Sequence, residues 1–225
     1  MSDSSETLTV RLLPYLAHGL KRPLSAVLLS ADILRRGGLA DDDVQALAAS
    51  IVISAREAVD LAEDLVALLR LETAQWALSP ATLDVAPVVL AAMADLGPDA
   101  SFENPSGGPT EAVADRIGLE HLVGCLVSQV VSARPPGGRI HVGFGGDRQR
   151  LDLSIDVPSV PTAGLESIFE PFAGSFGTPG LALPLARALA ESQGGRLVAI
   201  GNAEQGTTFV LSLPRPGVSR AGGWR

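Results

Sequence analysis

Ala17-His18-Gly19-Leu20-Lys21-Arg22-Pro23-Leu24 is the stretch on which the reading of the fold turns. It sets one histidine in a helical pattern, with a proline about one turn downstream. A proline inside a helix removes a backbone hydrogen bond and costs roughly 3 kcal/mol, so its presence calls for a reason. Outward from it, Leu13, Leu20, Val27 and Leu34 recur at every seventh position, and Ala17, Leu24 and Ala31 form a second series between them. That is an a/d seam, and it predicts one helix from Thr7 to Arg36. Gly37-Gly38 ends this helix, and Asp41-Asp42-Asp43 supply a cap and negative charge to start another. The second helix, to Glu72, repeats the logic with Val44, Ile51, Ala58 and Leu65, interleaved with Leu47, Leu61 and Leu68. A lone hairpin cannot bury both seams. Two hairpins packed as a four-helix bundle can, so the pattern predicts a homodimer.

His18 follows the seam residue Ala17 and so faces solvent beside the core. Arg22, Ser25, Leu29 and Asp32 continue its face at spacings of three and four. Read by itself, such a residue is an exposed helical histidine with no chemistry.

The 225 residues suffice for one or two domains with real cores, and 46% hydrophobic against 19% charged residues describes a globular chain. A formal net charge of -8 argues against non-specific binding to nucleic acid or to an anionic membrane. No apolar run reaches the roughly 18 residues that span a bilayer. The polar, acidic start from Met1 to Glu6 is unlike a signal peptide, and a cytoplasmic location is expected. The single cysteine, Cys125, excludes an internal disulfide and lies in an apolar helical stretch, where a buried structural thiol is expected. Three histidines without clustered spacing give a structural metal site no support.

After Trp76 the pattern changes. Leu83 to Leu96 reads as a short helix capped by Asp84, followed by a Pro/Gly-rich connection from Gly97 to Pro109. Asp115 caps a helix to Ala133, which Pro135-Pro136-Gly137-Gly138 stops. Alternating runs Arg139 to Phe144 and Arg150 to Asp156 flank Gly145-Gly146-Asp147 and predict an antiparallel hairpin. A short helix from Leu165 to Phe169, a helix from Leu181 to Ser192, and strands at Arg196 to Ile200 and Thr207 to Leu213 complete the reading. The expected architecture is a helical hairpin followed by an α+β sandwich with helices on one face of the sheet. The expected divisions are residues 1–76, 77–215 and a loose tail, 216–225. His121, on the long helix, and His141, in a strand, read as structural or surface residues.

Five motifs in order now carry a family likeness: the histidine box, Ala133-Arg134-Pro135-Pro136-Gly137-Gly138-Arg139-Ile140, Ile168-Phe169-Glu170-Pro171-Phe172, Gly194-Gly195-Arg196-Leu197 and Gly206-Thr207-Thr208-Phe209. Together, from Leu8 to Pro214, the chain resembles the catalytic core of sensor histidine kinases: a dimerisation and phosphoacceptor hairpin, then a Bergerat-type ATP-binding domain. It is also similar to histidine phosphotransferases of that architecture. The resemblance implies that His18 is the phosphoacceptor, that ATP and magnesium are the cofactors, and that a response-regulator receiver domain is the partner. No nucleic-acid or membrane partner is expected, and no sensor domain is expected either.

The family's helper residues are altered. The acidic residue that follows the histidine, and takes its proton during autophosphorylation, is Gly19 here; general base help of that kind is typically worth 10²–10⁴-fold. The threonine that positions water for dephosphorylating the receiver is Arg22. The asparagine that helps hold magnesium corresponds to Gln129, with the same amide on a longer arm, and a lysine near the phosphates corresponds to Ser132. Magnesium demands near-ideal octahedral geometry, so the extra methylene matters. The aspartate that binds the adenine amino group corresponds to Asp156, but Val157-Pro158-Ser159-Val160 keep none of the glycines that follow it in the family. The second glycine box reads Gly177-Thr178-Pro179-Gly180-Leu181-Ala182-Leu183-Pro184, in which Gly177 and Gly180 remain as candidate nucleotide contacts. Phe169, Phe172 and Phe176 read as core and lid packing.

The leading expectation is phosphotransfer between His18 and a receiver aspartate, with impaired ATP-dependent autophosphorylation. Lys21, Arg22, Ser25 and Leu29 form the docking face, the two cations complementing an acidic receiver pocket. Two alternatives stand beside it: an active ATP-dependent protein-histidine kinase with a divergent pocket, and a non-catalytic dimeric scaffold that binds receivers. Binding of neither ATP nor magnesium remains open under the first and the last.

Overall fold

The computed structural model describes residues 2–73, 75–94, 100–104, 107–133, 138–157, 165–171, 180–202 and 206–217, with side chains described from residue 19 onward except at 100, 103 and 202. Gly177, Phe172, Phe176, Pro158 to Val160, the segment 134–137 and the tail beyond Gly217 lie outside the described residues. The chain divides into two compact units, Met1–Thr73 and Ala74–Arg225. No helix among the described residues is long and apolar enough to cross a membrane.

The first unit is a hairpin of α1 (Ser2–Arg36) and α2 (Asp41–Glu72). Gly37 and Gly38 take φ of 70° and 77°, conformations that side chains with a Cβ rarely adopt, and so end α1. Asp41, Asp42 and Asp43 fill the first turn of α2, where their charge complements the helix dipole. Thr73 closes α2, its hydroxyl donating to the Leu69 carbonyl at 2.7 Å. The seam is visible in the burial of Ser54, Ala58, Leu61 and Leu68 along α2. An apolar surface is left outside: Val52, Val59 and Val66, seven residues apart, are 50%, 54% and 47% exposed, and Leu28 and Leu24 on α1 are also exposed, the latter a residue that the heptad pattern places on the seam. α1 passes through the buried Pro23 without a break, so the carbonyl of Gly19 loses the donor that a residue with an N–H would supply.

The second unit is built on a five-stranded sheet of order β2-β4-β5-β7-β6, where β2 is Ala100–Glu103, β4 Ile140–Gly146, β5 Arg150–Val157, β6 Arg196–Asn202 and β7 Gly206–Pro214. β2 and β4 run parallel; the other pairs are antiparallel. β1 (Pro80–Asp84) and β3 (Glu111–Asp115) form a separate two-stranded sheet. The helices are α3 (Ala86–Met93), α4 (Arg116–Ala133) and α5 (Ala182–Ser192), with a 3-10 turn at Ser167–Phe169. On β5 and β7, Leu151, Leu153, Ile155, Val157, Phe209, Leu211 and Leu213 alternate onto one fully buried face. α5 packs on β6 and β7 and against α4, so that face is the helix-covered one.

Three elements differ from the expectation. Leu83 to Leu96 is not one helix: Leu83 belongs to β1 and pairs with Ala112, and among the described residues of this stretch the α-helix is Ala86–Met93. Asp84 still shapes the helix entrance, its Oδ1 accepting the Ala86 N–H at 3.2 Å and the Thr110 hydroxyl. The Gly97 to Pro109 connection contains β2, whose pairing partner β4 lies about forty residues on and leaves no local signature. Glu111–Asp115, not foreseen as a strand, is β3, and Asp115 ends it while capping α4.

The β4–β5 turn is the most constrained of the unit. Gly146 has φ of 105°, and a Cβ there would stand 2.3 Å from the Arg150 carbonyl oxygen. Gly146→Ala is expected to cost about 1–3 kcal/mol, measured as a lowered denaturant midpoint at unchanged slope. Asp147 Oδ1 accepts the Gln149 and Arg150 N–H groups at 2.7 and 2.8 Å. These two backbone donors hold its carboxyl below the usual 3.8. A depressed folded value stabilises above pH 3.8, and that support is lost as pH falls through the folded value. Asp147→Asn should therefore melt lower than the parent near neutrality, and the gap should close in acid. Arg215 clasps the same turn, donating to the carbonyls of Asp147 and Pro109 at 2.8 and 2.7 Å.

Candidate functional site

His18 lies in the backbone of α1, in the helical turn before the buried Pro23. Helix geometry sets Lys21, Arg22, Ser25 and Leu29 along the face that begins at His18, and all four are exposed, Leu29 at 64%. No ion pair among the described residues engages Lys21 or Arg22. Asp32, one turn further, is already neutralised: Arg35 and Arg36 bind its two oxygens at 2.6 and 2.7 Å. Those guanidinium groups hold its carboxyl below 3.8. The face is thus basic beside His18 and internally balanced at its far end. On α2, partial burial, followed by repulsion from Asp64 and Glu63, raises the Asp60 carboxyl above its usual value.

In the second unit, Gln129 is half-buried on α4. Ser132 turns its hydroxyl back to the Ser128 carbonyl at 3.0 Å. Gly180 precedes α5, which begins without a side-chain cap, and Pro184 sits in its first turn, where a missing N–H costs little. The start of α4 is locked from two directions. Asp115 Oδ1 accepts the Gly118 N–H at 2.7 Å and Oδ2 the Ser79 N–H at 3.0 Å. The fully buried Gln193 accepts the Asp115 N–H at 2.8 Å and donates to the Leu189 carbonyl at 3.2 Å.

Asp156 projects from the face of the sheet opposite the helices. It accepts the hydroxyl of Thr208, its cross-strand partner, at 2.6 Å. Four residues away on the same face, Asp152 accepts the hydroxyl of its own partner, Ser212. The two acids play the same cross-strand role. Two other residues occupy the inward positions at this end of the sheet: Val157, 0% exposed, and its partner Thr207, 1% exposed. Thr207 Oγ1 is buried and has no hydrogen-bond partner among the described residues. Such a vacancy costs about 1–3 kcal/mol. The adenine-binding carboxylate that the sequence pattern implies therefore does not fit: Asp156 faces away, and Val157, the inward residue next to it on β5, has no polar atom in its side chain.

His121 stacks edge-on against Trp76, with ring centroids 6.1 Å apart, and His141 meets Ser101 Oγ at 3.1 Å through Nδ1. Cys125 is buried. Phe169 packs under the Arg187 guanidinium at 5.3 Å, in a groove of about 1120 Å³ along edge strand β6. Neither Gln129, Asp156 nor Gly180 lines this groove. Alternation alone could have separated Asp156 from Val157, since Leu151, Leu153 and Ile155 already set the inward parity.

Two family models match the chain. Residues 10–74 match the His Kinase A (phospho-acceptor) domain, and residues 114–217 match the histidine kinase-, DNA gyrase B- and HSP90-like ATPase. The chain is a histidine-kinase catalytic core. Among curated proteins, this core is 29% identical over 220 residues to the histidine protein kinase DivJ of Caulobacter vibrioides, covering 91% of this chain and 37% of DivJ. It is 26% identical over 211 residues to the sensor protein DivL of the same organism, covering 88% and 27%. The chain thus spans about a third of the length of these relatives. The histidine kinase AdeS of Acinetobacter baumannii has the same fold, with a TM-score of 0.68, 17% identity, and coverage of 89% of this chain and 98% of that one. The helical hairpin and the mixed α/β sandwich are the two parts of this architecture.

Proposed function

We propose that this histidine-kinase core passes phosphoryl groups between His18 and the aspartate of a response-regulator receiver, within a phosphorelay, and that its ATP-dependent autophosphorylation is impaired. The observation that carries the reading is the exposed basic face of Lys21 and Arg22 beside His18, next to a glycine where a proton acceptor is expected. In the transfer, the P–O bond of the receiver's aspartyl phosphate breaks as an imidazole nitrogen forms a bond to phosphorus. The carboxylate leaves with the electron pair, and the ring N–H proton passes to solvent. Transfer of this kind needs an exposed imidazole and a docking face, while the receiver brings its own metal and acidic pocket.

The working unit is a homodimer. The exposed stripe of Val52, Val59 and Val66, with Leu24 and Leu28, is the surface that a second hairpin buries in a four-helix bundle. Asp156, held by Thr208 on the face away from the helices, supports reading the second domain as a poor ATP site at its base. Gln129 would reach toward magnesium, and the backbone at Gly180, before the uncapped start of α5, would face phosphates. When bound, ATP would supply the phosphoryl group for the alternative autokinase activity. Incubation of the full chain with a phosphorylated receiver tests the proposal: acid-labile label on this chain is expected. Label that appears only from ATP, or none from any receiver of the source organism, overturns it.

A further inference from the structure

Gln129 rides on α4 and Gly180 stands at the start of α5, both in the helical layer. A residue that shares a ligand with them has to project from the helix-covered face of the sheet. Asp156 projects from the other face, where Thr208 holds it. The inward pair at the ends of β5 and β7 is Val157 and Thr207, matched in register. The Thr207 hydroxyl is the buried side-chain polar atom without a partner among the described residues. It is left with its hydrogen-bonding capacity unused by the sheet.

We propose that Val157 and Thr207, in place of Asp156, form the base-contacting floor of the nucleotide site, and that this floor does not select adenine. The inference rests on reading the second domain as a nucleotide-binding one. The Thr207 hydroxyl can donate to a carbonyl or ring nitrogen of a purine edge, or accept from an amino group. Val157 offers no acceptor to an exocyclic amino group and no charge to repel a carbonyl. The ligand class is therefore a purine nucleotide, with guanine admitted as readily as adenine. A carboxylate at position 157 would reinstate the choice. A hydrogen bond to a charged group changes affinity by about tenfold or more.

Titration calorimetry of the full chain with magnesium-ATP and magnesium-GTP tests this. The parent is expected to bind the two within about threefold of each other, and no heat with either would overturn the proposal; Val157→Asp should gain about tenfold or more for ATP and nothing for GTP. Thr207→Val should raise the melting temperature of the unliganded chain, because the unpaired hydroxyl is gone. If Val157→Asp keeps its circular dichroism and gains no ATP affinity, the proposal falls. It falls equally if Asp156→Asn removes a parental preference for ATP. Should Val157→Asp not fold, the Thr207→Val melting temperature decides, since a fall would show that the hydroxyl is engaged elsewhere. Failure of receiver-to-His18 transfer in the parent would count against the phosphotransfer reading alone.

Discussion

His18→Ala is expected to abolish phosphoryl transfer from a phosphorylated receiver, leaving no acid-labile label on the chain. The phosphorus–nitrogen bond of a phosphohistidine hydrolyses in acid and survives base, so the lability identifies the acceptor type. The other two histidines lie in different surroundings. His121 is stacked on Trp76 and His141 contacts Ser101, both in the other compact unit, and neither lies on the basic helix face. Because the substitution is on a helix that alanine favours, the hairpin should remain folded, and loss of label then reports chemistry. Lys21→Glu with Arg22→Glu should slow transfer while keeping the acceptor. The parental rate should fall as salt rises, because surface charges are screened within about 8 Å at physiological ionic strength. Equal labelling of His18→Ala would overturn the assignment. Unchanged receiver binding and unchanged cellular phenotype in that variant would favour the scaffold.

Asp115→Ala should lower the stability of the second unit by about 2–4 kcal/mol. The substitution removes the α4 cap at Gly118, worth about 1 kcal/mol. It also removes the bond to the Ser79 N–H, and hydrogen bonds to a charged group are worth about 1.5–3 kcal/mol each. Asp115 is only 6% exposed, so water cannot replace either bond freely. For a unit of this size the melting temperature should drop by roughly 5–15 °C. Asp115→Asn, which keeps one oxygen, should retain part of the loss. If Asp115→Ala melts within a degree or two of the parent, the lock described for α4 does not bear on stability.

Local patterns foresaw most of this architecture. The heptads of the hairpin, the Gly37-Gly38 stop, the Asp115 cap and the β4–β5 hairpin are all written in residues close together in the chain. β1 and β3 were hidden because they pair only with each other: Thr82 and Val113 meet through the fold, and neither segment alternates strongly by itself. β2 was hidden for the same reason, its partner being β4. Gln193 carries no sequence signal at all. Its importance comes from reaching the Asp115 amide, 78 positions away in the chain.

His18, its proline and the two cations beside it are determined by the sequence, because residues three and four apart share a helix face whatever the rest of the molecule does. The family follows from the order of the motifs. Which residues Asp156 and Val157 meet across the sheet was decided by the tertiary structure. In a strand, one position of shift exchanges the buried side for the solvent side. Register with β7 then gave Asp156 to Thr208 and left Val157 and the unpaired Thr207 hydroxyl beneath the helices.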